Sequence, residues 1–160
     1  MNYYFINIIL FLTMIVQEKK PEIAYFGGGC FWCIEAVFKN IHGVIEVANG
    51  YSGGSIETAN YKDVCSGNTK HAEICQIKYD SKAISYSVLL KIFFLAHDPT
   101  TLNRQGNDIG PQYRSVIFFS NKEDKYQAIN YISFLEKNNT YVNIQTEVLP
   151  LTQFYKAEDN

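Results

Sequence analysis

The chain has 160 residues, of which 47% are apolar and 19% are charged, and its formal net charge is −2. This length suits one domain with its own hydrophobic core, and the composition excludes an intrinsically disordered chain. The longest basic run is Lys19-Lys20, which argues against a nucleic-acid partner because neutralising phosphates requires a basic surface.

The chain begins with an uncharged, mostly apolar stretch at residues 3–16, YYFINIILFLTMIV. It is shorter than the roughly 20 residues that span a bilayer, and it lacks the basic start and the A-x-A cleavage site of a signal peptide. We therefore predict that residues 1–20 form an apolar extension or signal-like segment and that residues 21–160 form the folded domain. The protein is then cytoplasmic, or exported or membrane-anchored if residues 3–16 act as a signal.

The first half of the domain contains three predicted strands and one helix. EIAYF (22–26) is a short apolar strand that three glycines end. Residues 30–39 have a helical period, and residues 44–51 and 71–79 are strand-like. The stretch 52–70 is mostly loop, with a helical turn at 61–64. The residues predicted on the buried face of the helix are Phe31, Ile34, Val37 and Phe38.

The second half contains two helices and one strand. Residues 85–96 form an amphipathic helix capped by Ser85, and a polar loop occupies 97–112. Residues 114–119 form a strand, and 121–137 form a helix with a capping box at Ser120 and Glu123. The apolar stripes of the two helices are predicted to be Leu89, Leu90, Phe93 and Phe94 in the first and Ile129, Ile132 and Leu135 in the second.

The predicted order of elements is therefore β-α-β-β-α-β-α. Its first six elements match the split β-α-β order of ferredoxin-like folds. We predict an α+β fold with a mainly antiparallel sheet and helices packed on it.

Two cysteines, Cys30 and Cys33, follow the glycines in GGGCFWC. Cys30 lies where the glycine turn opens into a helix, and a helix N-terminus favours a thiolate, so we predict a nucleophile with a lowered pKa. Cys33 lies one helical turn away, which suits a reversible disulfide or half of a zinc site. His71 and Cys75 would have to complete the zinc site, but on a strand they lie roughly 13 Å apart.

The segment HAEICQIKY alternates, so Glu73 shares one strand face with Cys75 and Ile77. If that face is inward, desolvation raises the pKa of Glu73 and makes it a candidate general acid. In the opposite register Glu73 is a solvated charge, and the pattern alone leaves both registers open.

Polar and aromatic residues near these groups can bind a substrate. Tyrosine hydroxyls can donate hydrogen bonds to a developing oxyanion, a carboxylate can orient a donor, and aromatic rings can wall an apolar pocket. The candidates are Tyr61, Tyr113, Asp108, Phe31 and Trp32.

Taken together, the sequence motifs around these residues resemble those of one known family. GGGCFWCIEAVF is similar to the Gly-Cys-Phe-Trp-Gly signature of the methionine sulfoxide reductase A family, peptide-methionine (S)-S-oxide reductases. The resemblance continues in order through NGYSGG (49–54), NYKDVCSG (60–67), HAEICQIKYD (71–80), HDPTTLNRQGNDIGPQYRS (97–115) and FYKAEDN (154–160). Several ordered motifs are far more specific than one.

The resemblance implies that residues 21–160 are a catalytic domain that reduces the S-epimer of methionine sulfoxide, free or in oxidised proteins. It implies that Cys30 attacks the sulfoxide sulfur and that Glu73 protonates the oxygen. Tyr61 and Tyr113 are then hydroxyls that bind that oxygen, and Asp108 is a supporting carboxylate. Phe31 and Trp32 hold the methyl group of the substrate. The resemblance further implies a monomer without metal or other cofactor, recycled by thioredoxin or a similar dithiol.

Two departures from the family pattern concern the second half of the reaction. Cys33 replaces the usual glycine, and the cysteine-bearing tail of many members has no counterpart in this sequence. We therefore expect Cys33 to resolve the sulfenic acid on Cys30, with Cys65 as a second resolver that is otherwise buried and inert, like Cys75.

Two other functions remain to be weighed: a general CxxC dithiol–disulfide oxidoreductase, and a non-enzymatic zinc-binding or interaction module. The oxidoreductase would not need Glu73, and the zinc module would contain stoichiometric metal.

Overall fold

Six strands form one mainly antiparallel sheet in the computed structural model, which describes residues 20–158. Their order across the sheet is β7-β6-β1-β3-β2-β8, and only the β6–β7 pair is parallel. A separate hairpin pairs β4 with β5. The strands are β1 (Glu22–Gly27), β2 (Val44–Ser52), β3 (Ala72–Tyr79), β4 (Arg104–Gln105), β5 (Asp108–Ile109), β6 (Val116–Phe119), β7 (Glu147–Pro150) and β8 (Tyr155–Lys156).

Four α-helices complete the fold within the described residues. Two short 3-10 turns, Ile56–Thr58 and Pro111–Tyr113, lie in the loops. No helix in this part of the chain is both long enough and apolar enough to cross a membrane. The helices are α1 (Phe31–Phe38), α2 (Tyr61–Cys65), α3 (Tyr86–Ala96) and α4 (Lys122–Lys137).

The main hydrophobic core lies between the sheet and α1, α3 and α4. Ring contacts join its layers: Phe26 of β1 stacks on Phe93 of α3 with centroids 4.8 Å apart and lies 5.9 Å from Phe38 of α1. All three side chains are buried. Burial of such rings is the largest favourable contribution to folding, at about 1.5–3 kcal/mol for each large apolar side chain.

The opposite face of the sheet is covered by the C-terminal segment instead of by helices. We call residues 147–158 the C-terminal belt, because it pairs with β6 at one edge through β7 and with β2 at the other through β8. Between these pairings it packs on a second apolar cluster. The belt side chains in that cluster are Leu149, Leu151 and Phe154.

The structure confirms a mixed α+β fold, and the predicted strands and helices all occur. The cap of α3 is confirmed, since Ser85 Oγ accepts a hydrogen bond from Val88 N. The capping box at Ser120 and Glu123 is wrong: α4 is capped by Asn121, whose Oδ1 accepts from Asp124 N at 2.9 Å.

Two predicted core positions are also wrong. Val37 is 36% exposed, because Phe31, Ile34 and Phe38 already form the stripe that α1 presses on the sheet. Ile129 is exposed, and the smaller Ala128 takes the buried position next to it in α4. Strands β7 and β8 were not predicted. The predicted N-terminal extension lies outside the described residues, apart from Lys20.

Candidate active site

Cys30 is the N-cap residue of α1, at the end of the glycine turn that leaves β1. Gly27 has no room for a side chain, because a Cβ there would lie 2.7 Å from the carbonyl oxygen of Glu73. Gly29 has a φ of +96°, a left-handed conformation that favours glycine. Gly27 therefore lets the end of β1 pack closely against β3, which brings Cys30 next to that strand.

Glu73 lies on β3 with its side chain turned toward the helices, and it is only 2% exposed. Its Oε2 accepts a hydrogen bond from the backbone N–H of Phe31, the residue after Cys30, at 3.1 Å. Burial raises the pKa of Glu73 to about 7, and the charge of Asp108 adds to the rise, while the Phe31 amide partly opposes it. The solvated register is therefore wrong, and a large fraction of this carboxyl is protonated at neutral pH.

The thiol of Cys30 does not have the lowered pKa that its helix position predicts. Burial raises its pKa, and the nearby Glu73 charge raises it further. The backbone N–H groups of Trp32 and Cys33 lower the pKa, as expected at a helix start, but their effect is smaller. Tertiary burial thus outweighs the local helix effect, and the resting group is a thiol.

Tyr61 and Tyr113 both lie near the thiol of Cys65. Tyr61 and Cys65 lie one turn apart on α2, and both tyrosine hydroxyls lie close enough to the Cys65 thiol to lower its pKa. Gln112 Nε2 donates to the Cys65 carbonyl at 3.5 Å, which places the turn containing Tyr113 against α2. The expectation that Cys65 is buried is wrong, because it is partly exposed. Burial nevertheless raises its pKa.

The aromatic wall combines one buried and one exposed ring. Phe31 is 2% exposed and Trp32 is 48% exposed, and the two rings meet edge to face at 5.4 Å. Trp32 also lies 6.1 Å from the ring of Tyr61. Asp108, on β5, is exposed and acts on Glu73 through its charge.

Two residues of the site escaped the sequence reasoning, Tyr51 and Glu158. Tyr51 lies directly opposite Glu73 in the β2–β3 pairing, and its ring is 5.9 Å from that of Phe31. Its hydroxyl donates to Glu158 Oε2 at 3.2 Å. The motifs NGYSGG and FYKAEDN contain these two residues and were the available signals.

The remaining cysteines differ in access. Cys33 is exposed, whereas Cys75 is fully buried and donates its S–H to the carbonyl of Phe31 at 3.2 Å. Both ring nitrogens of His71 are engaged, with Gly54 N and Ser55 O. No group of three potential metal-binding side chains occurs between residues 20 and 158.

A groove of about 390 Å³ opens beside the aromatic wall, between α1, β2 and the C-terminal belt. Trp32 lines it on the side of α1, and Lys156 and Glu158 line it on the side of the belt. Cys30 and Glu73 are not among its lining residues, so the groove adjoins the candidate site without containing the reactive groups.

Comparisons with known proteins point to one family. The sequence model of the family described as peptide methionine sulfoxide reductase matches residues 22–160. A relative from Saccharolobus solfataricus, peptide methionine sulfoxide reductase MsrA, is 53% identical over 138 residues, which is 86% of this chain and 77% of the relative.

Solved structures agree with the sequence relatives. Mxr1 from Saccharomyces cerevisiae in reduced form has a TM-score of 0.82 and 32% identity, covering 88% of this chain and 81% of that one. Methionine sulfoxide reductase A of Corynebacterium diphtheriae has a TM-score of 0.76 and 33% identity, covering 89% and 73%. Mxr1 in complex with Trx2 has a TM-score of 0.64 at 23% identity, covering 92% and 88%, a likeness of fold alone. The chain belongs to the peptide methionine sulfoxide reductase family, and its activity is the reduction of methionine sulfoxide.

Proposed function

We propose that this enzyme reduces the S-epimer of methionine sulfoxide, free or within oxidised proteins, with Cys30 as nucleophile and Glu73 as general acid. The observation that carries this assignment is the buried Glu73 carboxyl, bonded to the amide next to Cys30 and half protonated near neutral pH. A sulfoxide oxygen leaves sulfur only after it gains a proton, so the acid must be close to the nucleophile.

The first half-reaction transfers one oxygen atom. Cys30 sulfur loses its thiol proton and attacks the sulfoxide sulfur, so that an S–S bond forms while Glu73 delivers its proton to the oxygen. The S–O bond of the substrate then breaks, the oxygen bonds to the Cys30 sulfur as the S–S bond breaks and methionine leaves, and the thiol proton restores the acid form of Glu73. The products are methionine and a sulfenic acid on Cys30, so that the substrate sulfur is reduced by two electrons and the cysteine sulfur is oxidised by two.

The side chains around this pair are assigned to substrate binding. Tyr61 and Tyr113 bind the sulfoxide oxygen, and the nearness of both hydroxyls to the Cys65 thiol supports this, since the two hydroxyls then lie on the same side of the site. Phe31 and Trp32 hold the methyl group. Asp108 supports the acid, because its negative charge favours the protonated form of Glu73.

The second half-reaction is assigned to Cys33. Its thiol attacks the sulfenic sulfur of Cys30, a disulfide forms, and water leaves. Two observations favour Cys33 over Cys65: it lies in the first turn of α1, close enough to influence the Cys30 thiol, and it is exposed to an external reductant. Peptide mapping after one turnover tests this, and a Cys30–Cys65 disulfide or a persistent sulfenic acid would refute it.

The same proposal extends to partner and organisation. A thioredoxin or a similar dithiol reduces the disulfide, which agrees with the solved complex of Mxr1 with Trx2. We propose that the enzyme works as a monomer without a metal or other cofactor, through a catalytic domain at residues 21–160. A ferredoxin-like split plait is our finer description of its sheet, supported by the central order β6-β1-β3-β2.

Separated sulfoxide epimers, assayed with dithiothreitol as reductant, test the central assignment. We expect activity on the S-epimer in the wild type, none in Cys30→Ser, and loss of most turnover in Glu73→Gln with the Cys30 thiol still present. Equal rates on both epimers would remove the stereochemical assignment, and a fully active Glu73→Gln would remove the acid. A general dithiol–disulfide oxidoreductase, the alternative function, would keep its activity without Glu73.

A further inference from the structure

Glu158, near the end of the C-terminal belt, joins two elements that are far apart in the sequence. Its Oε2 accepts a hydrogen bond from the Tyr51 hydroxyl at 3.2 Å, and its Oε1 accepts one from the backbone N–H of Tyr61 at 3.0 Å. One carboxylate therefore connects the belt to the end of β2 and to the first residue of α2.

We propose that Glu158 is a positioning residue that holds Tyr61 against Trp32 so that the Tyr61 hydroxyl points into the catalytic site. The inference deepens the proposed function and rests on it. Glu158 does not itself act on the reacting atoms; it acts through Tyr61.

The belt presents Glu158 in a fixed place. The residue before it, Ala157, donates its backbone N–H to the carbonyl of Asn49 at 2.9 Å, and Tyr155 and Lys156 pair with β2 as β8. The Ser52 hydroxyl donates to the carbonyl of Gln153 at 2.7 Å and secures the start of the same stretch. The carboxylate is thus attached to a backbone that is hydrogen-bonded to the sheet on both sides of β8.

Helix α2, which Glu158 holds, has few other anchors, among them the bond from Gln112 to the Cys65 carbonyl at its far end. Helix α2 has five residues, of which only Val64 is buried, and Tyr61 itself is 38% exposed. Isolated helices of this length are unstable in water, so tertiary anchors decide where α2 lies. The hydrogen bond from Tyr61 N to Glu158 anchors the first residue of α2. Asn60 is the N-cap of the helix and accepts a hydrogen bond from Asp63 N, a contact that is local to α2.

The second hydrogen bond of Glu158, from the Tyr51 hydroxyl, fixes the Glu158 carboxylate relative to Glu73 and to the aromatic wall. Tyr51 is fully buried, pairs with Glu73 across the strands, and contacts the ring of Phe31. Glu158 therefore fixes the position of Tyr61 relative to Tyr51, the side chain that lies beside both Glu73 and Phe31.

Substitutions of Glu158 separate this role from a general structural one. Glu158→Ala removes both hydrogen bonds. In Glu158→Gln, the amide oxygen can still accept from Tyr61 N–H and the amide nitrogen can donate to the Tyr51 hydroxyl oxygen. Glu57→Ala is the matched control, because Glu57 carries the same charge, is exposed, and lies in the turn just before α2.

The readouts are steady-state reduction of the S-epimer with dithiothreitol and the emission of Trp32, which is the only tryptophan of the chain. For Glu158→Ala we expect about a tenfold lower kcat/KM, mostly in kcat, because a small displacement of a catalytic donor weakens transition-state binding. We expect a changed Trp32 emission with folding retained by circular dichroism. Glu158→Gln should remain within about twofold of wild type, as should Glu57→Ala.

A double-mutant cycle with Tyr61→Phe identifies the route of the effect. If Glu158 acts through the Tyr61 hydroxyl, Glu158→Ala costs little more once that hydroxyl is gone. The inference would be overturned if the losses in kcat/KM of the two single variants multiply in the double mutant. It would also be overturned if Glu158→Ala is as active as the Glu57→Ala control, or if Glu158→Gln is as impaired as Glu158→Ala. If Glu158→Ala does not fold, Glu158→Gln alone decides through the same two readouts. A wild type that is inactive on sulfoxide would instead defeat the proposed function, and the Trp32 emission would still test Glu158.

Discussion

Replacing Glu73 with glutamine should raise the free energy of unfolding at neutral pH and above, and should leave it unchanged near pH 4. The carboxyl has a pKa of about 7 where the ordinary value is 4.5, chiefly because burial disfavours its charge. The folded chain therefore binds this proton more tightly than the unfolded chain, and the free energy of unfolding falls as pH rises from about 4.5 to about 7. At about 1.4 kcal/mol per pKa unit, the full loss is about 3 kcal/mol above pH 7 and vanishes below pH 4.5.

Glutamine carries no charge and keeps an oxygen for the Phe31 N–H, so the variant should escape this loss. We expect Glu73→Gln to match wild type near pH 4 and to exceed it by about 3 kcal/mol at pH 8, roughly 6–12 °C in Tm for a domain of this size. Urea unfolding followed by Trp32 fluorescence at the two pH values measures the difference. Activity should fall at the same time by about 10²–10⁴-fold, the usual contribution of a general acid.

Two comparisons make this result decisive. Glu46→Gln removes the same charge from a carboxylate that is 63% exposed and paired with Lys78 at 3.8 Å, so its effect on stability should be small at both pH values. Asp124, whose pKa burial raises to about 6, titrates in the same window but is present in both proteins and cancels. A stability difference between Glu73→Gln and wild type that is the same at pH 4 and pH 8 would refute the argument.

The remaining predictions concern the nucleophile, a glycine and a helix cap. In Glu73→Gln, alkylation of Cys30 by iodoacetamide should reach half its maximal rate at a lower pH than in wild type, because the Glu73 charge raises the pKa of the thiol; an unchanged pH profile would contradict this. Gly50→Ala should lower the urea midpoint and detach β8, because a Cβ there would clash with the carbonyl of Tyr155; hydrogen exchange of the belt measures it, and unaltered protection would show that the clash is relieved at no cost. Asn121→Ala should cost about 1 kcal/mol of unfolding free energy through the lost cap of α4, and a neutral result would mean that the box at Ser120 serves instead.

Elements with a strong hydrophobic period were predictable because the period itself reflects the surface they bury. Helix α3 follows this rule, with a cap at Ser85 and a buried Leu89 and Phe93, and so does β3. The register of Glu73 was open, because alternation along one strand cannot say which face meets the core. Apolar neighbours on β3, such as Cys75 and Ile77, settle it by joining the helix-side cluster.

The failures arise where distant residues decide local properties. The pKa of Cys30 depends on how deeply the helix start is buried, which no local pattern reveals. Strands β7 and β8 are short and carry no alternation, and only their partners β6 and β2 make them strands. Glu158 joins the site through contacts 97 and 107 residues away in the chain. In the cap of α4, two adjacent capping residues compete, and the side chain of Asn121 fits Asp124 N.

The path of the C-terminal belt also affects how the protein folds during its synthesis. A ribosome releases Cys30 and Glu73 well before residues 147–158, so the nascent chain carries its reactive sulfur before one wall of the pocket exists. Until the belt arrives, the apolar sheet face around Ile74 and Phe118 meets water, and such surfaces favour aggregation. We expect the belt to pack on the sheet last, because contacts between residues about a hundred positions apart require the loss of much loop entropy and therefore form late in folding. Catalytic competence is then acquired only once residues 147–158 have emerged and have packed on the sheet.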